Sequence, residues 1–508
     1  MCYVGLDAGT TGIKAYAFNE HGSILASAYR EYPLLTPREG WCELDPKRIW
    51  DDAKAVLSDV AGQLRSPIRS IAVSSQGQAV VPLDHAGEPL YPFLSTVDTR
   101  TVLQNEWWKQ NVDEEEIFRR TGLAFSPIYT INKIMWHRDN QPDLYKKVWK
   151  FLCVGDYLTY RLTGETVIDY SLAGRGMMLN ARERRWDEKI LALAGIDPSK
   201  LSTPTPAATP VGRILPELSA KLGISSDATV VVGAHDQMCG TIGCGVIHPG
   251  QTMDAIGTVE VLIAILGEFP ADHQLMRLHY PCSPHAVGDG YAVMSINQNG
   301  GALLKWYKNT FCGAETASAL LQGLDPYTYL IEQSSDRVAD LYVLPHVNGA
   351  ETPIQDPLSA GAFVRLRTNH TKADITRAVL DSMAFDMRQN IDALESASVP
   401  VQEIRAIGGG TKTPKLLQIK ADATKRPIVT MQVSEAASLG AAMLGAVGVG
   451  DFSDCRSAIA RMVKSSRIYE PNPSVADEYD TAYEDYKMLY PALAPLNHRV
   501  AARREKTV

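Results

Sequence analysis

Residues 3–18 read YVGLDAGTTGIKAYAF, two runs of strand composition joined by a turn of Gly and Thr, and SILASAYREY at 23–32 supplies a third strand. This predicts a three-strand meander with Asp7 at its first turn. Further along, residues 251–266 read QTMDAIGTVEVLIAIL, again strand, Gly-Thr turn and strand. A motif that recurs at this distance predicts a duplicated core.

Working outward, Asp45-Pro46 offers an N-cap and a proline at the first helical position. Apolar residues then recur at helical spacing from Ile49 to Leu64, so a helix of about five turns should cover the meander. IRSIAVSSQGQAVVPLD at 68–84 is an apolar strand that runs into a polar end at Ser74–Gln78, the kind of strand end that carries sites in α/β folds. Residues 101–201 read as a helical inserted layer. ATVVVGAHDQMCGTIGCGV at 228–246 is a buried strand ending at Asp236, followed by a helix rich in Gly and Cys. HPGQ at 248–251 breaks the pattern and divides the chain into domains 1–247 and 248–508. YAVMSIN, a helix GALLKWYKNTF, LYVLPHV, a long helix from Asp374 to Ser396, EIRAIGGG and a final helix from Glu435 complete a second unit. Alternating strands and helices define the α/β class.

The chain has 508 residues, 45% hydrophobic, 21% charged and 8% aromatic, the proportions of a globular protein of two or more domains. Its formal charge of −8 is spread along the chain and disfavours nucleic-acid binding. The basic stretch His498–Lys506 reads as a frayed, solvated tail. No apolar run reaches the roughly 20 residues of a membrane helix, and Asp7 and Lys14 stand where a signal peptide needs an apolar core. A cytoplasmic protein is expected. Eight cysteines without a C-x-x-C pair indicate neither a zinc site nor a disulfide framework, so buried free thiols are expected.

The turn Asp7-Ala8-Gly9-Thr10-Thr11-Gly12 offers N–H groups and hydroxyls in a tight bend, with Lys14 just after. It suits phosphate oxygens beside a carboxylate-held magnesium, or is a plain hairpin turn. Gly257-Thr258 in the second hairpin favours phosphate, because two hairpins can clamp one polyphosphate. Gly408–Thr411 follows a strand and leads into a helix, a place for a nucleotide or merely a turn. No G-x-x-x-x-G-K-[ST] sequence is present, which excludes the usual P-loop. Asp236 lies where a strand meets a helix, suited to accept a proton from an attacking alcohol or to cap the helix. Gln76, Gln78, Asp98 and Arg100 form a polar set suited to hydroxyls of a sugar or polyol.

The order of these pieces resembles the FGGY carbohydrate kinases over nearly the whole chain. GWCELDP at 40–46, TINKIMW at 130–136, DYLTYRLTG at 156–164, IGGGTKTPKLLQIKAD at 407–422 and EAASLGAAMLGA at 435–446 support it. The resemblance implies two ribonuclease-H-like domains of the actin and hexokinase type, flanking a deep cleft that closes on ATP and a sugar. It implies that Asp7 organises Mg2+, that Thr10, Thr11 and Lys14 meet phosphates, and that Gly257 and Thr258 hold them from the other domain. Asp236 matches the base, Gly409, Gly410 and Thr411 the adenosine loop, and Gln76, Gln78, Asp98, Arg100 and Gln237 the sugar contacts. Homodimers are common in the family.

Several positions depart from the pattern. Ser75-Gln76-Gly77-Gln78 stands where xylulose kinases carry Gly-Gln-Met-His, and no Trp precedes Asp98. Val259 and Glu260 follow the Gly-Thr turn, and a Glu260 facing phosphates would repel them. Glu351 replaces the usual Arg before Thr-Pro, and Arg365 stands where Gly is common. The motif set favours an ATP-dependent kinase of a ketopentose such as xylulose or ribulose. A polyol or sugar-acid kinase is the alternative, the sugar acid requiring extra Arg or Lys near Gln78 and Arg100. Further alternatives are a non-catalytic sugar-binding regulator and an actin-like ATPase.

Overall fold

The structure, a computed structural model, describes residues 1–270 and 273–505. Strand β1 (Tyr3–Ala8) pairs antiparallel with β2 (Gly12–Phe18), and β2 with β3 (Ile24–Glu31), which is the expected meander. Helix α1 (Pro46–Gln63) starts as the sequence dictates: the Asp45 side chain accepts from Lys47 N, and Pro46 opens the first turn. Its Ile49, Ala53, Val56 and Val60 stripe packs with Val4, Ile13 and Ile71 in one apolar core. Strand β4 (Ser70–Ser75) lies parallel to β1, and β5 (Pro210–Arg213) and β6 (Thr229–His235) complete the order β5-β6-β4-β1-β2-β3. Residues 101–201 form the expected helical layer, together with short strands. Helix α2 (Asp236–Cys244) follows β6 directly.

The second sheet repeats this plan. It comprises β7 (Gly250–Ile256), β8 (Glu260–Leu266), β9 (Cys282–Pro284), β10 (Tyr291–Asn297), β11 (Val401–Ile407), β12 (Ile428–Met431) and β13 (Ser465–Tyr469). Its order is β9-β10-β8-β7-β11-β12-β13. In both sheets the first strand carries an antiparallel hairpin on one side, two parallel strands on the other, and an antiparallel edge strand beyond them. The echo of the two hairpins is thus a duplication of topology. Helices α3 (Gly300–Phe311), α4 (Lys372–Ser396), α5 (Pro414–Thr424) and α6 (Ala436–Gly448) complete this half.

The chain does not end its structure at α6, as the sequence predicts. Helices at Cys455–Met462, Ala476–Lys487 and Leu489–Glu505 follow. Tyr479, Tyr483 and Tyr486, at helical spacing, pack on Phe385 of α4 and anchor the second of them, while Cys455, Ala458 and Met462 of the first pack with α6. The basic stretch from His498 is therefore helical through Glu505, and His498 Nε2 lies 2.8 Å from Asp356; Lys506 falls outside the described residues. All eight cysteines are free thiols, buried except for half-buried Cys42. No helix among the described residues is long and apolar enough to cross a membrane.

Although α6 lies between β12 and β13 of the second sheet in the chain, it packs on β1, β4 and β6 of the first and crosses α2. Only glycine permits this approach. A Cβ on Gly440 would lie 1.9 Å from the Cys239 carbonyl oxygen, one on Gly243 1.9 Å from that of Ala436, and one on Gly5 1.9 Å from that of Ser438. A single apolar core joins Tyr3 and Val231 of the first sheet, Met238 and Ile242 of α2, Leu439 and Met443 of α6, and Met253 and Ile263 of the second sheet.

In an isolated helix Gly440→Ala would gain up to about 1 kcal/mol from propensity. Here we expect a loss of about 1–3 kcal/mol or more from overpacking, read as a lower urea midpoint, and a stabilised variant would show that the crossing is looser.

Candidate active site

Three groups of side chains gather at the strand ends. In the first, Gly9 N donates to Gly12 O at 3.0 Å and closes the β1–β2 turn. Gly9 O accepts from the Tyr32 hydroxyl at 2.5 Å and from Gln76 Nε2 at 2.8 Å, so the carbonyl is drawn inward while Thr10 and Thr11 remain exposed. Buried Asp7 accepts from Ser74 Oγ at 2.7 Å. Lys14 reaches Glu435 at 2.6 Å and lies 3.3 Å from Asp7. Burial works against its ammonium, but Asp7 and Glu435 outweigh that and raise its pKa. Lys14, expected to meet phosphates with Thr10 and Thr11, is held between two carboxylates.

Asp236 opens α2, and its Oδ1 accepts from Gln237 N at 2.6 Å and lies 3.2 Å from His235 Nε2. Its side chain stays 27% exposed. Burial, reinforced by Asp7, pushes its carboxyl up to about 7, while the Gln237 N–H, Arg175 and Lys14 act in the opposite direction. Burial, with Arg175 nearby, pulls His235 down to about 3, so the imidazole is neutral.

In the second group, Gln78 adopts a left-handed backbone at φ 63°, a conformation that side chains other than glycine's rarely take. Hydrogen bonds hold it there. With its amide oriented to satisfy both neighbours, Nε2 donates to Gly77 O at 3.0 Å and Oε1 accepts from Arg175 Nη2 and Nε at 2.8 and 2.9 Å. Its carbonyl accepts from Lys133 Nζ at 3.0 Å. Lys133 and Arg175 are both buried, and neither forms an ion pair with a described carboxylate. Burial pulls Lys133 down to about 7, opposed by Asp98. Neither cation figures among the sequence candidates. The one local signal for Arg175 is its place between Gly174 and Gly176.

Asp98 and Arg100, read from sequence as sugar contacts, are instead committed to each other. Arg100 Nε donates to both Asp98 oxygens at 2.9 Å and Nη2 to Glu43 at 2.8 Å, and Cys42 N donates to Asp98 Oδ2 at 2.6 Å. The guanidinium stacks over Trp41 at 3.8 Å, with Trp136 at 5.0 Å. The aromatic wall absent before Asp98 thus comes from GWCELDP and TINKIMW. Both side chains are sealed, at 0% and 1% exposure. Gln76 and Gln237 remain open in another sense: the Oε1 atom of each is buried without a donor among the described residues.

The third group lines a cavity of about 480 Å3. Gly257, Thr258, Gly409 and Gly410 meet there with apolar Leu304, Met383 and Leu416, and with Lys305 and Tyr327 at the rim. Thr411 hydrogen-bonds back to Gly408 O at 2.7 Å and steadies the loop. Glu260 faces away from the turn and into the core, 2.5 Å from Lys420, so it does not repel phosphates there. Arg365, at φ 66°, binds Asp340, and Glu351 binds Gln298, both outside these groups.

Residues 2–243 match the N-terminal domain and residues 255–449 the C-terminal domain of the FGGY family of carbohydrate kinases. The chain belongs to this family. It is 26% identical to a xylulose kinase of Bacillus subtilis (strain 168) over 99% of both chains. It is 30% identical to a gluconokinase of the same organism, over 94% of this chain and 93% of the relative. The crystal structure of a ligand-bound xylulose kinase from Lactobacillus acidophilus superposes with a TM-score of 0.89 at 26% identity, over 98% of this chain and 99% of that one. The protein is therefore a sugar kinase, an α/β phosphotransferase of two domains, and its family uses ATP.

The folded pKa of Asp236 lies above its unfolded value, so the stability it contributes is full below pH ~3.9 and is lost as pH rises through about 7. We expect Asp236→Asn, without ligands, to raise the melting temperature relative to wild type more at pH 8 than at pH 5. A gain equal at both pH values would contradict the shift.

Proposed function

We propose that the chain transfers a phosphoryl group from ATP to a terminal hydroxyl of a small sugar, with Asp236 as general base. The observation that carries this reading is the placement of Asp236: a carboxyl poised near neutrality, partly exposed, next to Asp7 and the first phosphate turn. A base with a pKa near the working pH is ionised often enough to accept the hydroxyl proton and basic enough to hold it. We assign Thr10, Thr11 and Lys14 from one side, and Gly257 and Thr258 from the other, to the phosphates. Gly409, Gly410 and Thr411 would hold the adenosine against the apolar floor of the 480 Å3 cavity. The domains would divide at 247/248, with α6 reaching back across the boundary.

Asp7 suits magnesium. Among the described residues no group of three His, Cys, Asp or Glu side chains could cage a metal. A single carboxylate beside a phosphate turn matches the way Mg2+ binds through one or two carboxylates, waters and substrate phosphates. Bound there, the ion would neutralise phosphate charge.

Gln76 and Gln237, each with a buried acceptor lacking a donor, suit sugar hydroxyls, which supply donors. Asp98 and Arg100 would support the wall behind them. The motif set favours a ketopentose. A sugar acid is the second reading, supported by Lys133 and Arg175, two buried cations flanking Gln78 without a carboxylate partner. A carboxylate would give these donors a charged acceptor, whereas a ketone or a hydroxyl oxygen gives only a neutral one.

The test is ADP release with xylulose, ribulose, gluconate, glycerol and erythritol. One ketopentose or sugar acid should dominate, Asp236→Asn should lower its turnover by about 10²–10⁴-fold, and a mutant with most of its turnover intact would remove Asp236 from the role. If the acceptor is a sugar acid, Arg175→Met should raise its KM by roughly 10–100-fold, the value of a hydrogen bond to a charged group. A smaller effect would favour the ketose.

A further inference from the structure

Asp254 and Glu260 flank the Gly257-Thr258 turn on β7 and β8. Both are buried, at 0% and 2% exposure, and both reach the same ammonium: Lys420 Nζ lies 3.0 Å from Asp254 Oδ2 and 2.5 Å from Glu260 Oε1. Lys420 is itself 0% exposed and stands on α5, the helix entered directly from the Gly409–Thr411 loop. The two loops that line the 480 Å3 cavity thus meet twice. Above, a Cβ on Gly410 would lie 2.2 Å from Ile256 Cγ2, so loop and strand end touch. Below, one buried cation ties both hairpin strands to the helix that carries the loop.

The turn is also held from α3. Gly301 N donates to Gly257 O at 3.0 Å and Ala302 N to Thr258 O at 2.9 Å, while a Cβ on Gly300 would lie 2.7 Å from Glu260 Cβ. Glu260 therefore sits where all three walls of the cavity converge. A buried ion triad adds little stability over apolar side chains of the same volume, because desolvation offsets most of its attraction. What it adds is geometry, since a short, doubly anchored ammonium fixes distances that apolar packing leaves adjustable.

We propose that Lys420 is a positioning residue for ATP, clamping the second phosphate turn to the adenosine loop through Asp254 and Glu260. It touches no substrate. The proposal rests on the assignment of the 480 Å3 cavity to ATP, so that assignment needs its own control. Gly409 provides it: a Cβ there meets nothing within 4 Å, and the residue lines the cavity, so Gly409→Val adds bulk at the cavity wall without a clash at its Cβ.

The experiment compares Lys420→Met, Lys420→Arg and Gly409→Val, each full length, for KM of ATP, KM of the preferred sugar and melting temperature. Lys420→Met keeps the volume and should raise the ATP KM about tenfold, the size of a coupling between neighbouring groups, with the sugar KM within about twofold. Lys420→Arg, which keeps the charge, should recover most of that loss. If Gly409→Val raises the ATP KM and Lys420→Met does not, the clamp is wrong and the cavity assignment stands. Equal rises in both KM values for Lys420→Met, with no recovery in Lys420→Arg, would reduce Lys420 to a structural residue and overturn the proposal. An unchanged ATP KM in Gly409→Val would remove the cavity assignment and the clamp together.

Discussion

The backbone-to-backbone crossing of α2 and α6 is the constraint on which the rest of the molecule depends. Gly243 and Gly440 let two helices meet at carbonyl distance, and Gly5 lets α6 lie on β1. With one helix from each half interleaved, the two sheets share one apolar core between them, while each keeps a further core of its own. The chemistry starts from the same place. Asp236 is the first residue of α2, and Glu435, the partner of Lys14, immediately precedes α6. The crossing thus sets the positions of Asp236 and of the lysine beside the first turn.

Buried charge is treated in two ways in this structure. Arg100 and Lys420 are each met by two carboxylates, and their surroundings are sealed. Arg175 and Lys133 are buried with neutral partners only, and Asp236 keeps a raised pKa behind a partly open face. An uncompensated charge opposes folding unless something else supplies its partner. Arg100 and Lys420 thus belong to closed ion clusters inside the scaffold, while Arg175 and Lys133 keep only neutral partners, a difference that residue type alone does not reveal.

That distinction explains what the sequence made legible. Both hairpins, the Asp45 cap, the strand entering Asp236 and the duplicated order could be read because each is written locally, in two-residue alternation, cap chemistry or glycine turns. Asp98 and Arg100 lie two residues apart and invited a reading as a polar pair facing a ligand, but their partners Glu43 and Trp41 come from a segment more than fifty positions earlier. Glu260 posed the same problem, since its direction depends on Lys420, which lies far along the chain. Arg175 and Lys133 escaped notice because nothing local marks a buried cation without a counter-ion. The tyrosine stripe of the C-terminal helices, by contrast, was written at plain helical spacing and could have been read.

The crossing also governs how the two halves can move. Where side chains interdigitate, helices shear by exchanging one rotamer for another, and small slides are inexpensive. At Gly243 and Gly440 there is no side chain to exchange, and each α-carbon already lies against a carbonyl of the other helix. Sliding is therefore blocked while rotation about the contact is not. The crossing acts as a register pin: it fixes α2 along α6, and with them the place of Asp236 at the head of one helix relative to Glu435 just before the other.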